Sequence, residues 1–170
     1  MLRKAVMITA TLTLGLGAVG IGIHPSGAES GTHCTFQHMP NLNPGLSYKP
    51  STGTFTDPGG GTIECTGTVN GATPSGPGSY TDSGTVAGTC QDGGKAEGDP
   101  TFTIPTDQGP QTLTDHVVIT FKLGSTNGGV VHAEFDGAKT KGTIEITPTK
   151  GDCVANPVTQ IKGVGEFTLK

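Results

Sequence analysis

Residues 111–136 read QTLTDHVVITFKLGSTNGGVVHAEFD, and this stretch decides the fold. Its apolar residues recur with period two. Leu113, Val117, Ile119, Phe121 and Leu123 share one face, and Val131, Ala133 and Phe135 share one face of the run that follows. Strict alternation of this kind marks a strand with one face buried. Between the runs, Asn127-Gly128-Gly129 supplies residues that accept positive φ. The two runs therefore form an antiparallel hairpin. Pairing Ile119 with Phe135 and Phe121 with Ala133 brings both apolar faces together and leaves a three-residue loop, Thr126-Asn127-Gly128. A slip by one residue would set Val117, Ile119 and Phe121 against His132, Glu134 and Asp136, so the pattern forbids it.

The same habit extends in both directions. Strands are expected at 62–70, 84–90, 142–148 and 160–169, with shorter ones at 32–38, 52–57 and 100–104. Turn residues separate them: Asp57-Pro58-Gly59-Gly60-Gly61, Asn70-Gly71, Asp92-Gly93-Gly94 and Asp136-Gly137. No helical period occurs after residue 29. Segments 39–50 and 72–83 read as irregular, and the second, ATPSGPGSYTDS, reads as a mobile loop. From residue 111 onward the strands follow one another as a meander. The fold class is all-β: an antiparallel up-and-down β-barrel of about eight or nine short strands, with a two-sheet β-sandwich as the alternative.

The start of the chain reads as an address. Residues 1–28 carry Arg3 and Lys4, then an apolar stretch, then Ser26-Gly27-Ala28, the pattern of a secretory signal peptide cleaved after Ala28. Residues 29–170 then form a single secreted domain with no membrane span. That domain keeps 14 acidic residues and 8 Lys, a net charge of −6, and has no Arg and no Trp. Its 24 Gly and 25 Thr suit turns and half-solvated strands, respectively. The low charge density argues against a disordered chain. All four cysteines, Cys34, Cys65, Cys90 and Cys153, lie in this part. An even count behind a signal peptide implies two disulfides. Two connectivities stand out: Cys65–Cys90 with Cys34–Cys153, or Cys34–Cys65 with Cys90–Cys153.

The search for chemistry is mostly negative. No Gly-x-Ser-x-Gly elbow, Cys-x2-Cys pair or phosphate loop occurs. The acidic balance and missing Arg disfavour nucleic acid. No catalytic residue, metal site or cofactor is expected. His33 and His38 bracket Cys34, lie on opposite strand faces and read as solvated. Asp115 and His116 are sequence neighbours whose side chains point apart. His132, Glu134 and Asp136 share one face, so His132 and Glu134 are candidate ligand-binding residues. Tyr48 and Tyr80 fall in the two irregular segments and are candidates for a loop-borne site.

From Thr62 onward the chain resembles small secreted β-rich proteins of Gram-positive actinobacteria. The features are Cys65-Thr66-Gly67-Thr68-Val69, Gly88-Thr89-Cys90, Gly151-Asp152-Cys153-Val154 with Pro157-Val158-Thr159, and Gly163-Val164-Gly165-Glu166-Phe167. The resemblance implies a secreted β domain with cysteines in stereotyped places, and no site residue carries over. The function expected is non-catalytic binding outside the cell, of a small molecule, an envelope component or a protein. The alternatives are a barrel-lumen enzyme of isomerase or cyclase type, and a secreted protease inhibitor using 72–83 as its reactive segment.

Overall fold

The computed structural model describes residues 31–122 and 131–170. The expected signal segment and the turn 126–128 lie outside the described residues. The first six strands are β1 (His33–His38), β2 (Asn41–Leu46), β3 (Ser51–Thr56), β4 (Gly61–Thr66), β5 (Gly78–Thr81) and β6 (Ser83–Thr89). Next come β7 (Gly93–Gly98), β8 (Thr101–Ile104), β9 (Gln111–Thr114) and β10 (Val117–Phe121). The last three are β11 (Val131–Asp136), β12 (Thr140–Lys150) and β13 (Val158–Leu169).

These segments assemble into a closed, eight-stranded antiparallel barrel. Five of its eight staves are bent in the middle, so each contributes two segments: β1 with β2, β3 with β4, β5 with β6, β7 with β8, and β9 with β10. Consecutive staves pair all the way round. The last stave then closes on the first, with Cys34 opposite Phe167 and Val158 opposite Leu46. Full closure removes the exposed edges that an open sheet would leave.

The bends lie at one level, and four of them carry an aspartate: Asp57, Asp82, Asp99 and Asp115. The backbone stays paired across the belt. The N–H groups of Asp57, Asp99 and Asp115 donate to the carbonyls of Asp82, Ser83 and Pro100, respectively. Asp115 also seals the wall. Its carboxylate accepts from the backbone N–H groups of Ala138, Lys139 and Thr140 and from the Thr140 hydroxyl, capping the turn between β11 and β12. Burial pulls that carboxyl upward, but these donors outweigh it and hold it below the usual range.

The register read from 111–136 is observed: Ile119 faces Phe135 and Thr120 faces Glu134. Three strands were not legible. Segment 39–50 holds β2, whose Leu42 and Leu46 point inward although Asn41, Asn43 and Pro44 hide the alternation. Segment 72–83 is no free loop. Ala72 is buried and bridged to Val69, Ser75 N donates to Pro105 O, and the segment ends in β5. The third strand, β7, reads GGKAEG and has almost no apolar side chains. Its Gly98 leaves the room that Phe55 fills, since a Cβ there would stand 2.7 Å from the phenyl tip.

The disulfides are Cys34–Cys65 and Cys90–Cys153. Cys34 and Cys65 are direct cross-strand partners on β1 and β4. The local Cys65–Cys90 bridge is ruled out by direction. Neighbouring staves run antiparallel, so Cys65, near the end of one, and Cys90, just past the end of the next, lie at opposite ends of the barrel.

Candidate functional site

The barrel interior divides at the belt. One half, around β1, β4, β5, β8 and the end of β13, is filled by aromatic rings. Phe36 stacks on Tyr80 at 5.2 Å, Tyr80 meets Phe102 at 5.1 Å, and Phe102 meets Phe167 at 4.9 Å. Phe135 closes the cluster edge-on against Phe36 and Phe167. The other half is lined by Leu42, Leu46, Val86, Phe121, Ile144, Ile146, Val158 and Ile161. Branched aliphatic chains fill this half less completely and leave a cavity of about 60 Å3. One water needs roughly 10–15 Å3 by that measure, so the cavity takes a group of a few heavy atoms. A smaller space of about 30 Å3 continues across the belt toward Phe36 and Phe102.

Both spaces share His38 and Asp82. His38 follows Cys34 and Phe36 on the inward face of β1, so strand parity buries it, and it is only 7 % exposed. The expectation of a solvated His38 is therefore corrected. Its Nδ1 stands 3.5 Å from Asp57 Oδ2. Its ring meets Tyr80 edge-on at 4.8 Å. Gly163 on β13 gives it space, because a Cβ there would stand 2.4 Å from Nε2. The Tyr80 hydroxyl donates to Asp82 Oδ2 at 2.9 Å.

These four residues form one polar cluster inside an apolar barrel. Burial raises the Asp82 carboxyl to about 6, against the opposing pull of the Tyr80 hydrogen bond and of His38. Burial, with the charges of Asp82 and Asp57, pushes the Tyr80 hydroxyl well above its ordinary value. Both nitrogens of His38, Asp57 Oδ2 and Asp82 Oδ1 are buried without a hydrogen-bond partner in the protein. Buried polar atoms normally have one, and leaving them unpaired costs about 1–3 kcal/mol each. Two of these atoms, His38 Nδ1 and Asp57 Oδ2, face each other at 3.5 Å; the other two, His38 Nε2 and Asp82 Oδ1, point to a site that receives a partner.

The residues singled out by sequence are dispersed. His132 and Glu134 stand outward on β11. His132 pairs with Glu145 of the neighbouring β12 at 3.3 Å, while Glu134 lies opposite Thr143. Asp136 is held by Lys170 instead. Tyr48 is exposed in the turn after β2. Tyr80 is no loop residue but a buried strand residue at the cavity. His33 faces outward beside Glu166, and His116 bonds Asp99 at 2.8 Å, away from Asp115. Sequence reasoning missed His38, Asp57 and Asp82. The available signal for His38 was its parity with Cys34 and Phe36, and for Asp82 its place two residues after Tyr80.

Among the described residues, no three His, Cys, Asp or Glu side chains stand together as a metal site would require. The fold and site together define a disulfide-bonded, eight-stranded β-barrel with an apolar lumen and a buried polar cluster at mid-height. No protein family, curated protein or solved structure matches this chain.

Proposed function

We propose that this is a secreted, non-catalytic barrel that binds a small, largely apolar molecule inside its lumen. The observation that carries the reading is the cavity of the aliphatic half, walled by Leu, Val, Ile and Phe and bordered by His38 and Asp82, whose Nε2 and Oδ1 have no partner in the protein. Apolar pockets with a few convergent polar groups are the usual form of small-molecule sites. An extracellular setting agrees with the two disulfides and with the absence, among the described residues, of any helix long and apolar enough to cross a membrane. Among the three kinds of partner, the lumen favours a small molecule over an envelope polymer or a protein.

A second reading, a lumen enzyme of isomerase type, has one specific observation in its favour. The His38–Asp57 and Tyr80–Asp82 pairs are groups able to move protons, beside an apolar space. The inhibitor reading loses its reactive segment, since 72–83 is fastened to residues 69 and 105–107.

The test is native mass spectrometry of the protein purified from culture medium, followed by methyl NMR. A co-purifying small organic molecule whose removal shifts the Ile144 and Ile146 methyl signals is the expected result. An empty protein whose lumen methyls ignore every added apolar compound sinks the reading.

A further inference from the structure

The chemistry around the cavity says what kind of molecule fits, granted that the lumen is a binding site. Most of the wall is hydrocarbon, and its polar members are an imidazole and a carboxyl group. Tyr80 joins them, touching the His38 ring with its own ring and bonding Asp82 Oδ2 with its hydroxyl. That hydroxyl is therefore committed, whereas Asp82 Oδ1 and His38 Nε2 have no partner.

We propose that the lumen takes a small neutral alcohol or phenol, with its hydrocarbon body among Val86, Ile144 and Ile146 and its hydroxyl between His38 and Asp82. Four classes of head group can be weighed. A hydrocarbon would leave both polar groups unpaired, which costs free energy. A carboxylate would stand beside Asp57 and Asp82 and meet like charge without solvent screening. An ammonium group donates only, so it pairs with Asp82 when that carboxyl is ionised but has nothing to offer a donor on the imidazole or on a protonated Asp82. A hydroxyl both donates and accepts, so it pairs with an imidazole and a carboxyl group whichever of their atoms carry protons. Because burial holds the Asp82 carboxyl near 6, this side chain carries both protonation states under mildly acidic conditions, and only an amphiprotic head serves both.

The test titrates the intact protein with four probes of one size: cyclopentanol, cyclopentane, cyclopentylamine and cyclopentanecarboxylate. The readout is saturable movement of the Val86, Ile144 and Ile146 methyl signals. Cyclopentanol is expected to bind at least tenfold tighter than each of the others. The Asp82→Leu variant is expected to bring cyclopentanol to parity with cyclopentane. Equal binding of cyclopentanol and cyclopentane by the wild-type protein overturns the proposal while leaving lumen binding intact. Tighter binding of the amine or the carboxylate overturns it in the same way. If no probe moves a lumen methyl, both the proposal and the reading beneath it fall. The wild-type series decides the matter even if the variant does not fold.

Discussion

The two halves of the barrel use the same backbone plan and fill it differently. In the aromatic half, Phe36, Tyr80, Phe102, Phe135 and Phe167 touch ring to ring at 4.9–6.5 Å. In the aliphatic half, the same cross-section is lined mainly by Leu, Ile and Val, and space remains. Flat, wide rings bridge a barrel interior that branched chains of three or four carbons cannot span. Stability is concentrated in the first half and capacity in the second, with the polar cluster at their boundary.

The largest effect should come from breaking the aromatic half. Phe167 is 1 % exposed and contacts three other rings. Phe167→Ala should cost about 3–5 kcal/mol in urea or thermal unfolding. In the aliphatic half, Ile144→Val should cost only about 0.5–1 kcal/mol, because it enlarges a space that already exists. A cost for Ile144→Val above about 1.5 kcal/mol would show that the aliphatic half is as tightly packed as the aromatic one.

The next effect belongs to the boundary. With its carboxyl near 6, folded Asp82 keeps a proton that an unfolded chain releases near pH 4. The native state thus binds more protons than the unfolded state between these values, and stability falls as pH rises from about 4 to about 6. The loss of stability is on the order of 2–3 kcal/mol, complete above pH 6 and absent below pH 4. Asp82→Asn should remove this slope. Asp115 works in the opposite sense: its carboxyl is held low, so its stabilisation is present above pH 4 and is lost as pH falls further. A difference curve between wild-type and Asp82→Asn proteins isolates the first effect, and a flat difference from pH 4 to 6 would refute it.

The smallest expected effect sharpens the comparison. Ala96 on β7 borders both spaces. Ala96→Val should fill part of the lumen and change stability by less than about 1 kcal/mol, while abolishing methyl shifts from added ligands. A loss of about 1–3 kcal/mol would instead signal overpacking and a lumen already full.

The sequence carried the strands whose inward residues are large. The 111–136 hairpin, the Ile63 strand and the final two strands were legible because each alternates visibly. By contrast, β7 has a wall function but only glycines and Ala96 to show inward, and Phe55 of β3, on the far side of β6, does the filling. Such a strand is specified by its neighbour, which no local window reveals. The same applies to the site. Asp57 and Asp82 look like turn residues; a turn does follow Asp57, whereas Asp82 is the single residue between β5 and β6. Bending at the same level on adjacent staves is what brings them inside with His38, and that depends on the pairing of β3 with β6 and of β4 with β5. The histidine–glutamate pattern on β11 was locally conspicuous, and its side chains stand on the outer face of the barrel, apart from the lumen.

The closure of β13 on β1 has a consequence for how the molecule is born. The wall is incomplete until residues 158–169 are available to lie beside 33–46. A chain delivered N-terminus first, across a membrane or from a ribosome, must wait for its last stave, and such long-range pairing is slow. The two cross-links divide this wait. Cys34 can find Cys65 across 31 residues early in emergence, whereas Cys90 needs a partner 63 residues further on. The first bridge can fasten a nucleus before the cylinder exists, and the second can lock only the finished one.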